Sequence, residues 1–229
     1  MKILCSICMR GGSKGIKNKN LKKLKNKYLM EYTINQAIDS GIFETIAVST
    51  DSKKIFDIAK KLGAKCWFLR SKKLAHDKSG KLQVIKDLLI RSERKFKITY
   101  DYVVDLDVTA PLRSVSDIKR SINLLIKNKK KNLITITNAR RNPYFNMIEI
   151  KNNIPSKVKR TKKNIKSRQA APKVFDLSAS IFIWRRDCKF TYNELFTINT
   201  QTYYMPEERA IDIDTNLDLN FIEFLLNKK

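Results

Sequence analysis

Apolar positions along this chain come in short unbroken runs separated by amphipathic stretches, so strand-like and helix-like periods alternate. Residues 2–8 (KILCSIC) are almost wholly apolar, which predicts a buried strand. After a glycine-rich loop, YLMEYTINQAI repeats apolar residues at helical spacing and ends at Gly41, a residue suited to a left-handed helix terminus. TIAVST (45–50) reads as a strand, DSKKIFDIAKKLG (51–63) as a helix capped by Asp51 and closed by Gly63, and AKCWFL (64–69) as a strand. A helix over 81–93 precedes the strand YDYVVDLDV (100–108), and a helix over 114–128 precedes the strand NLITIT (132–137). From about 140 to 172 the chain turns polar, basic and turn-rich, predicting a small extended arm that projects from the sheet. SASIFIWRR (178–186) is a further strand, and AIDIDTNLDLNFIEFLL closes the chain as a short strand and a helix capped by Thr215. The alternation predicts an α/β fold in one domain over residues 1–229, with a mostly parallel sheet covered by helices on both faces.

Composition narrows the function classes. With 42% hydrophobic residues in 229, the chain can build a substantial core, and no apolar run nears the ~18 residues of a membrane span. The start lacks a signal-peptide cleavage site, so the expected location is cytoplasmic. The net charge of +26 comes mostly from lysines spread along the whole chain. That dispersion suits an anionic small-molecule substrate; a basic nucleic-acid-binding module is the alternative and no membrane partner is expected. Cys5 and Cys8 form a single CxxC with no second pair at zinc spacing, and on a strand they point to opposite faces. Buried reduced thiols are the expectation.

The segment CMRGGSKGIKNKN (8–20) carries the first candidate chemistry. It lies between a strand and a helix, at the carboxyl edge of a parallel sheet where ligands bind. Glycine lets backbone N–H groups turn toward an anion, and Arg10, Lys14 and Lys19 add charge. The spacing fits neither GxGxxG, because Gly11 and Gly12 are adjacent, nor GxxxxGK[ST], because Leu82 follows Gly80-Lys81. A second candidate is the pair Asp212 and Asp214. In a strand, alternate residues share a face, as two ligands of one ion should; a strand end presenting carboxylates to the last helix is the alternative.

RGGSKGIKNKNL resembles the signature loop of the CMP-sugar synthetases, the cytidylyltransferases that activate sialic and related nonulosonic acids. VSTDS, FLRSKKLAHD, DVTAPLR, NPYFNMIE, SRQAAPKVF and IDIDTNLDL resemble further motifs of that family in the same order, over nearly the whole chain. The resemblance implies a three-layer αβα, Rossmann-like fold of the nucleotide-diphospho-sugar transferase type, whose arm (140–172) serves dimerisation. It implies transfer of CMP from CTP to the anomeric hydroxyl of a sialic, legionaminic or pseudaminic acid, with Mg²⁺ as cofactor and a homodimer as the working unit. A nucleotidyltransferase for another sugar acid is the enzymatic alternative.

By the same resemblance Arg10, Lys19, Asp212 and Asp214 are the catalytic residues, with Asp212 and Asp214 holding the metal. Gly11, Gly12, Ser13, Lys14, Asn20, Arg70, Lys81 and Thr109 join Arg10 and Lys19 around the nucleotide, and Arg168 and Gln169 meet the sugar acid. Asp51 lies either near the nucleotide or at a helix cap, and Arg113 is either a ligand contact or structural. Two departures stand out. Asp107 replaces the glutamine of QPTSPLR, as a third metal ligand or an altered sugar contact, and is counted with the substrate-binding residues. KSGK (78–81) replaces TASS, with Lys81 in place of a serine contact. Both point toward a legionaminic-type branch. His76, the only histidine, reads as incidental.

Overall fold

The structure is a computed structural model that describes residues 1–13, 15–76, 80–161, 165–191 and 195–228. Its central sheet has six strands: β1 (Ile3–Cys8), β4 (Thr45–Ser49), β5 (Tyr102–Leu106), β6 (Asn132–Asn138), β9 (Phe175–Arg185) and β10 (Thr200–Tyr204). They lie in the order β10–β6–β9–β5–β1–β4. β1 pairs in parallel with β4 and β5, and β10 with β6; β9 runs antiparallel between β5 and β6. Two hairpins stand outside the sheet. β2 (Lys23–Leu24) and β3 (Lys27–Tyr28) turn through Lys25 and Asn26, both at positive φ as a two-residue hairpin requires. β7 (Ile148–Lys151) and β8 (Ile154–Lys157) pair antiparallel as a second hairpin, within the stretch 140–172.

The alternation along β1 decides the layering. Ile3, Cys5 and Ile7 face one side, where they meet α1 (Leu29–Ser40), α2 (Lys53–Lys61), α4 (Val115–Lys127) and α5 (Asn216–Asn227) through Ile34, Ile55, Ile122 and Ile222. Leu4 faces the other side, where α3 (Lys81–Phe96) packs Leu82, Ile85 and Leu88 beside Val103 and Trp184. Sheet and helices therefore make the three layers expected. Gly41 ends α1 at φ 63, and Thr215 caps α5 by accepting from Asp218 N–H, both as expected. All four cysteines are free thiols. Burial, with the neighbouring Asp105 carboxylate, pushes the Cys5 thiol well above its usual range, so it is inert.

Three expectations need correction. AKCWFL is not a strand: only Lys65 bridges to Ala47, while Trp67 packs edge-on against Phe68 and Phe96. Asp51 does not cap α2; Ser52 does, its hydroxyl accepting from Ile55 N–H. AIDID is not a strand either, because its backbone groups bond to neighbouring loops rather than to a sheet edge: Ile213 N–H donates to Thr109 O, and Ile213 O accepts from Lys19. β10 is a strand that the apolar pattern did not single out.

Candidate active site

At the carboxyl edge, β1 runs from Cys8 into the glycine-rich loop, and three side chains tie that loop down. Gly11 N–H donates to Asp51 Oδ1 at 2.8 Å, and Arg70 Nη2 donates to Met9 O at 2.8 Å while lying 3.8 Å from the same Asp51 oxygen. Asn20 Nδ2 donates to Arg10 O at 3.0 Å. Asp51 is thus a prop for the loop, and the Gly11 N–H is spent on it rather than held open for an anion. Arg70 and Asn20 are buried and do part of the same work.

The loop then reaches across to the far end of the sequence. Asn18 adopts the left-handed conformation (φ 55) and starts the short 3-10 helix Lys19–Leu21, which turns Lys19 back toward the segment before α5. Lys19 Nζ donates to Ile213 O at 2.6 Å and lies 3.3 Å from Asp214 Oδ1. Gly15 is packed so closely there that a Cβ would sit 2.5 Å from Asp214 O. Between these segments is a cavity of about 380 Å³ lined by Cys8, Arg10, Ser13, Lys19, Asp107 and Asp214, among others. Gly12 faces open space, with nothing within 4 Å of a Cβ built on it. Lys14 lies outside the described residues.

The floor of the cleft is a network of carboxylates. Lys81 Nζ sits 2.8 Å from Asp105 Oδ2 and 2.6 Å from Asp107 Oδ2. Asp105 is fully buried at the end of β5 and also accepts from Ser6 Oγ at 2.5 Å. Asp107 Oδ1 accepts from Thr109 N–H at 3.0 Å and from Thr109 Oγ1 at 2.9 Å, and that hydroxyl is also 3.4 Å from Asp212 Oδ1. Burial alone would raise the Asp107 carboxyl, but Lys81 and the Thr109 bonds outweigh it and hold it well below the usual carboxylate range. Conversely, burial and the neighbouring Asp107 push the Asp212 carboxyl up to about 6. Both Asp107 oxygens are thus engaged, Oδ2 by the Lys81 ammonium and Oδ1 by Thr109.

A β-bulge positions Asp212. The β6–β9 register jumps between Ile134 and Thr135, where Thr135 Oγ1 donates to Ser178 O at 2.8 Å. Freed from the ladder, Ala179 N–H donates to Asp212 Oδ2 at 3.3 Å. Arg113 holds the same corner from beneath. It is buried, donating to Gln36 and Thr33 side chains and to the main-chain oxygens of Ser180 and Asp107. Its structural alternative is therefore the right one.

The expected sharing of one face by Asp212 and Asp214 fails with the strand it assumed. Asp214 lines the loop cavity, whereas Asp212 lines a larger one of about 500 Å³ bounded by Asn138, Asp176, Ser178, Glu207 and Phe221. Arg168 and Gln169 border a further cavity of about 420 Å³ that shares Asn138 and Glu207 with it. They stand apart from the phosphate loop. A fourth cavity, about 260 Å³, continues from the loop beneath Arg10 and Arg70 toward Leu74, His76 and Lys81. Of the KSGK departure, residues 78 and 79 lie outside the described residues.

Sequence reasoning missed Asp105, the bulge at Thr135 and the propping role of Asp51. Asp105 carried a signal in retrospect: a carboxylate inside the apolar run YVVDL calls for a buried cation.

Residues 4–228 match the family described as cytidylyltransferase. The chain belongs to that family. As a cytidylyltransferase it is a nucleotidyl-transferring enzyme, and the alternative of a nucleic-acid-binding module falls away. It is similar to the CMP-N,N'-diacetyllegionaminic acid synthase of Campylobacter jejuni, with 46% identity over 227 residues, 99% of this chain and 96% of that one. A Campylobacter coli protein named post-translational flagellin modification protein B is 44% identical over 228 residues, again 99% and 96% of the two chains. The solved structure of CMP:2-keto-3-deoxy-manno-octonic acid synthetase complexed with CTP shares the fold of this cytidylyltransferase at 14% identity. Its TM-score is 0.72 over 100% of this chain and 99% of that one.

Proposed function

We propose that this cytidylyltransferase transfers CMP from CTP to the anomeric hydroxyl of a nonulosonic acid of the N,N'-diacetyllegionaminic type, releasing pyrophosphate. The observation that carries this reading is the meeting of Lys19 and Gly15 with the Asp212–Asp214 segment. It brings the cationic loop and the Asp214 carboxylate to one cleft, with Asp212 behind Thr109, whose hydroxyl lies 3.4 Å from Asp212 Oδ1. In such a transfer the hydroxyl attacks the α-phosphorus while the bond to the β-phosphate oxygen breaks, so the protein must align the groups and offset charge on the leaving pyrophosphate. Lys19, Arg10 and Ser13 line the cavity in which the triphosphate would lie, which supports a phosphate-holding role for them. Arg70, anchored by Met9 O, and His76 border the adjoining cavity, which is placed for the nucleoside. Arg168 and Gln169, at the cavity that shares Asn138 and Glu207 with the Asp212 cavity, are placed for the sugar acid. Arginine can grip its carboxylate with two parallel hydrogen bonds.

The donor set fits Mg²⁺. Among the described residues no three His, Cys, Asp or Glu gather to hold a metal on their own. Magnesium prefers oxygen and binds through one or two carboxylates plus substrate phosphates. Asp212 and Asp214 would hold it, and the crowding of Asp212 against Asp107 favours a cation there. When bound, the ion would neutralise phosphate charge and lower the pKa of the attacking hydroxyl. A homodimer through the arm is part of the proposal, supported by Ile148, Ile150 and Ile154, which stand 63–68% exposed on the β7–β8 hairpin. A cytoplasmic setting suits the four free thiols; among the described residues no helix is long and apolar enough to cross a membrane.

The test is pyrophosphate release with CTP, UTP, ATP and GTP against sialic, legionaminic and pseudaminic acids. The expected result is turnover with CTP alone, dependent on divalent metal and fastest with the legionaminic acid. Equal turnover with UTP or ATP would overturn the nucleotide assignment.

A further inference from the structure

We propose that Lys81 and Asp107 form one coupled positioning pair, in which Lys81 offsets part of the negative charge of Asp105 and Asp107 so that the cleft accepts a triphosphate while Asp107 stays aligned on Thr109. The inference rests on the proposed use of CTP.

Lys81 is the first residue of α3, and no acidic residue follows it in the first turn. A cation at a helix N-terminus runs against the helix dipole, and burial disfavours it further, so local propensity argues against lysine there. Asp105 and Asp107 outweigh both effects, the ammonium lying 2.8 Å and 2.6 Å from their oxygens and 5.3 Å over the Phe182 ring. Burial alone would lower its pKa; the two carboxylates raise it above the ordinary lysine value, so the charge is permanent.

Asp107 is equally constrained. Its carboxylate is held by Lys81 and Thr109, its carbonyl accepts from Arg113 and Thr33, and its N–H donates to Ser180 O at 3.3 Å. It lines both the loop cavity and the cavity beneath Arg70, the two spaces a nucleoside triphosphate would occupy. Two bare carboxylates at that junction would repel the triphosphate by far more than thermal energy in a partly desolvated cleft. The two departures from the family pattern, Asp107 and the lysine of KSGK, therefore meet: Asp107 takes Lys81 as its cationic partner at 2.6 Å, beside Asp105 at 2.8 Å.

The test compares CTP affinity, by calorimetry with Mg²⁺ present, in the wild-type chain, Lys81→Met, Asp107→Asn and the double variant. Lys81→Met is expected to weaken CTP binding by roughly tenfold or more, and adding Asp107→Asn to recover most of that loss. In turnover, the loss in Lys81→Met should appear in the KM for CTP and not in that for the sugar acid. A double variant that binds CTP as weakly as Lys81→Met would overturn the pairing. If Lys81→Met does not fold, Asp107→Asn alone decides the matter: with Lys81 still on Asp105, CTP should bind more tightly and with a steeper salt dependence. Unchanged or weaker binding would contradict the proposal. If no sugar acid is turned over, the proposed function fails, yet the affinity comparison still reports on the pair.

Discussion

Asp214→Ala is expected to lower turnover at least ~100-fold, about 2.7 kcal/mol of transition-state stabilisation, with little change in melting temperature. The two halves of that expectation have different causes. The Asp214 side chain is 80% exposed and its contact is the Lys19 ammonium, so folding loses almost nothing without it. Catalysis loses a carboxylate facing the triphosphate cavity and the partner that aims Lys19. Pyrophosphate release and thermal melts on the same preparation separate the two. Residual turnover should also respond less to added magnesium. Full activity in the variant would remove Asp214 from the metal site.

Gly15→Ala should be nearly as damaging although it removes no functional group. The added methyl would lie 2.5 Å from the Asp214 carbonyl oxygen, a backbone atom that cannot rotate aside. Either the loop lifts or the acidic segment retreats, and misplacement on the scale of 1 Å costs on the order of 100-fold in rate. The loss should fall on both kcat and the KM for CTP, because loop and acidic segment serve one ligand. Steady-state kinetics at varied CTP measures it. Kinetics within about threefold of wild type would mean that the contact has no role in catalysis.

Elements were legible where local physics decided them. Gly41 and Thr215 announce helix ends because left-handed backbone and a capping hydroxyl are properties of one residue. The glycine-rich loop was legible for the same reason. What escaped was decided by neighbours distant in sequence. FDLSASIFIWR is apolar enough to be a central strand, but nothing in it says that it runs antiparallel between β5 and β6. The alternation in AIDID imitates a strand, yet Thr109 and Lys19 take the Ile213 backbone groups, and the two aspartates turn into different cavities. Asp51 looked like a cap because it precedes a helix; Gly11, forty residues away, claims its carboxylate. Lys81 and Asp107 were visible as departures, but their meeting at 2.6 Å belongs to the fold alone.

The central claim is that the loop from β1 and the segment before α5 grip one nucleoside triphosphate through a divalent ion. Crystals grown with CTP and Mn²⁺ test it most directly, because manganese reports its own position by anomalous scattering. The account expects a single strong peak between the triphosphate and the carboxylates of Asp212 and Asp214, with Lys19 and Ser13 on the phosphates. A nucleotide bound elsewhere, or a metal that contacts neither aspartate, would contradict it.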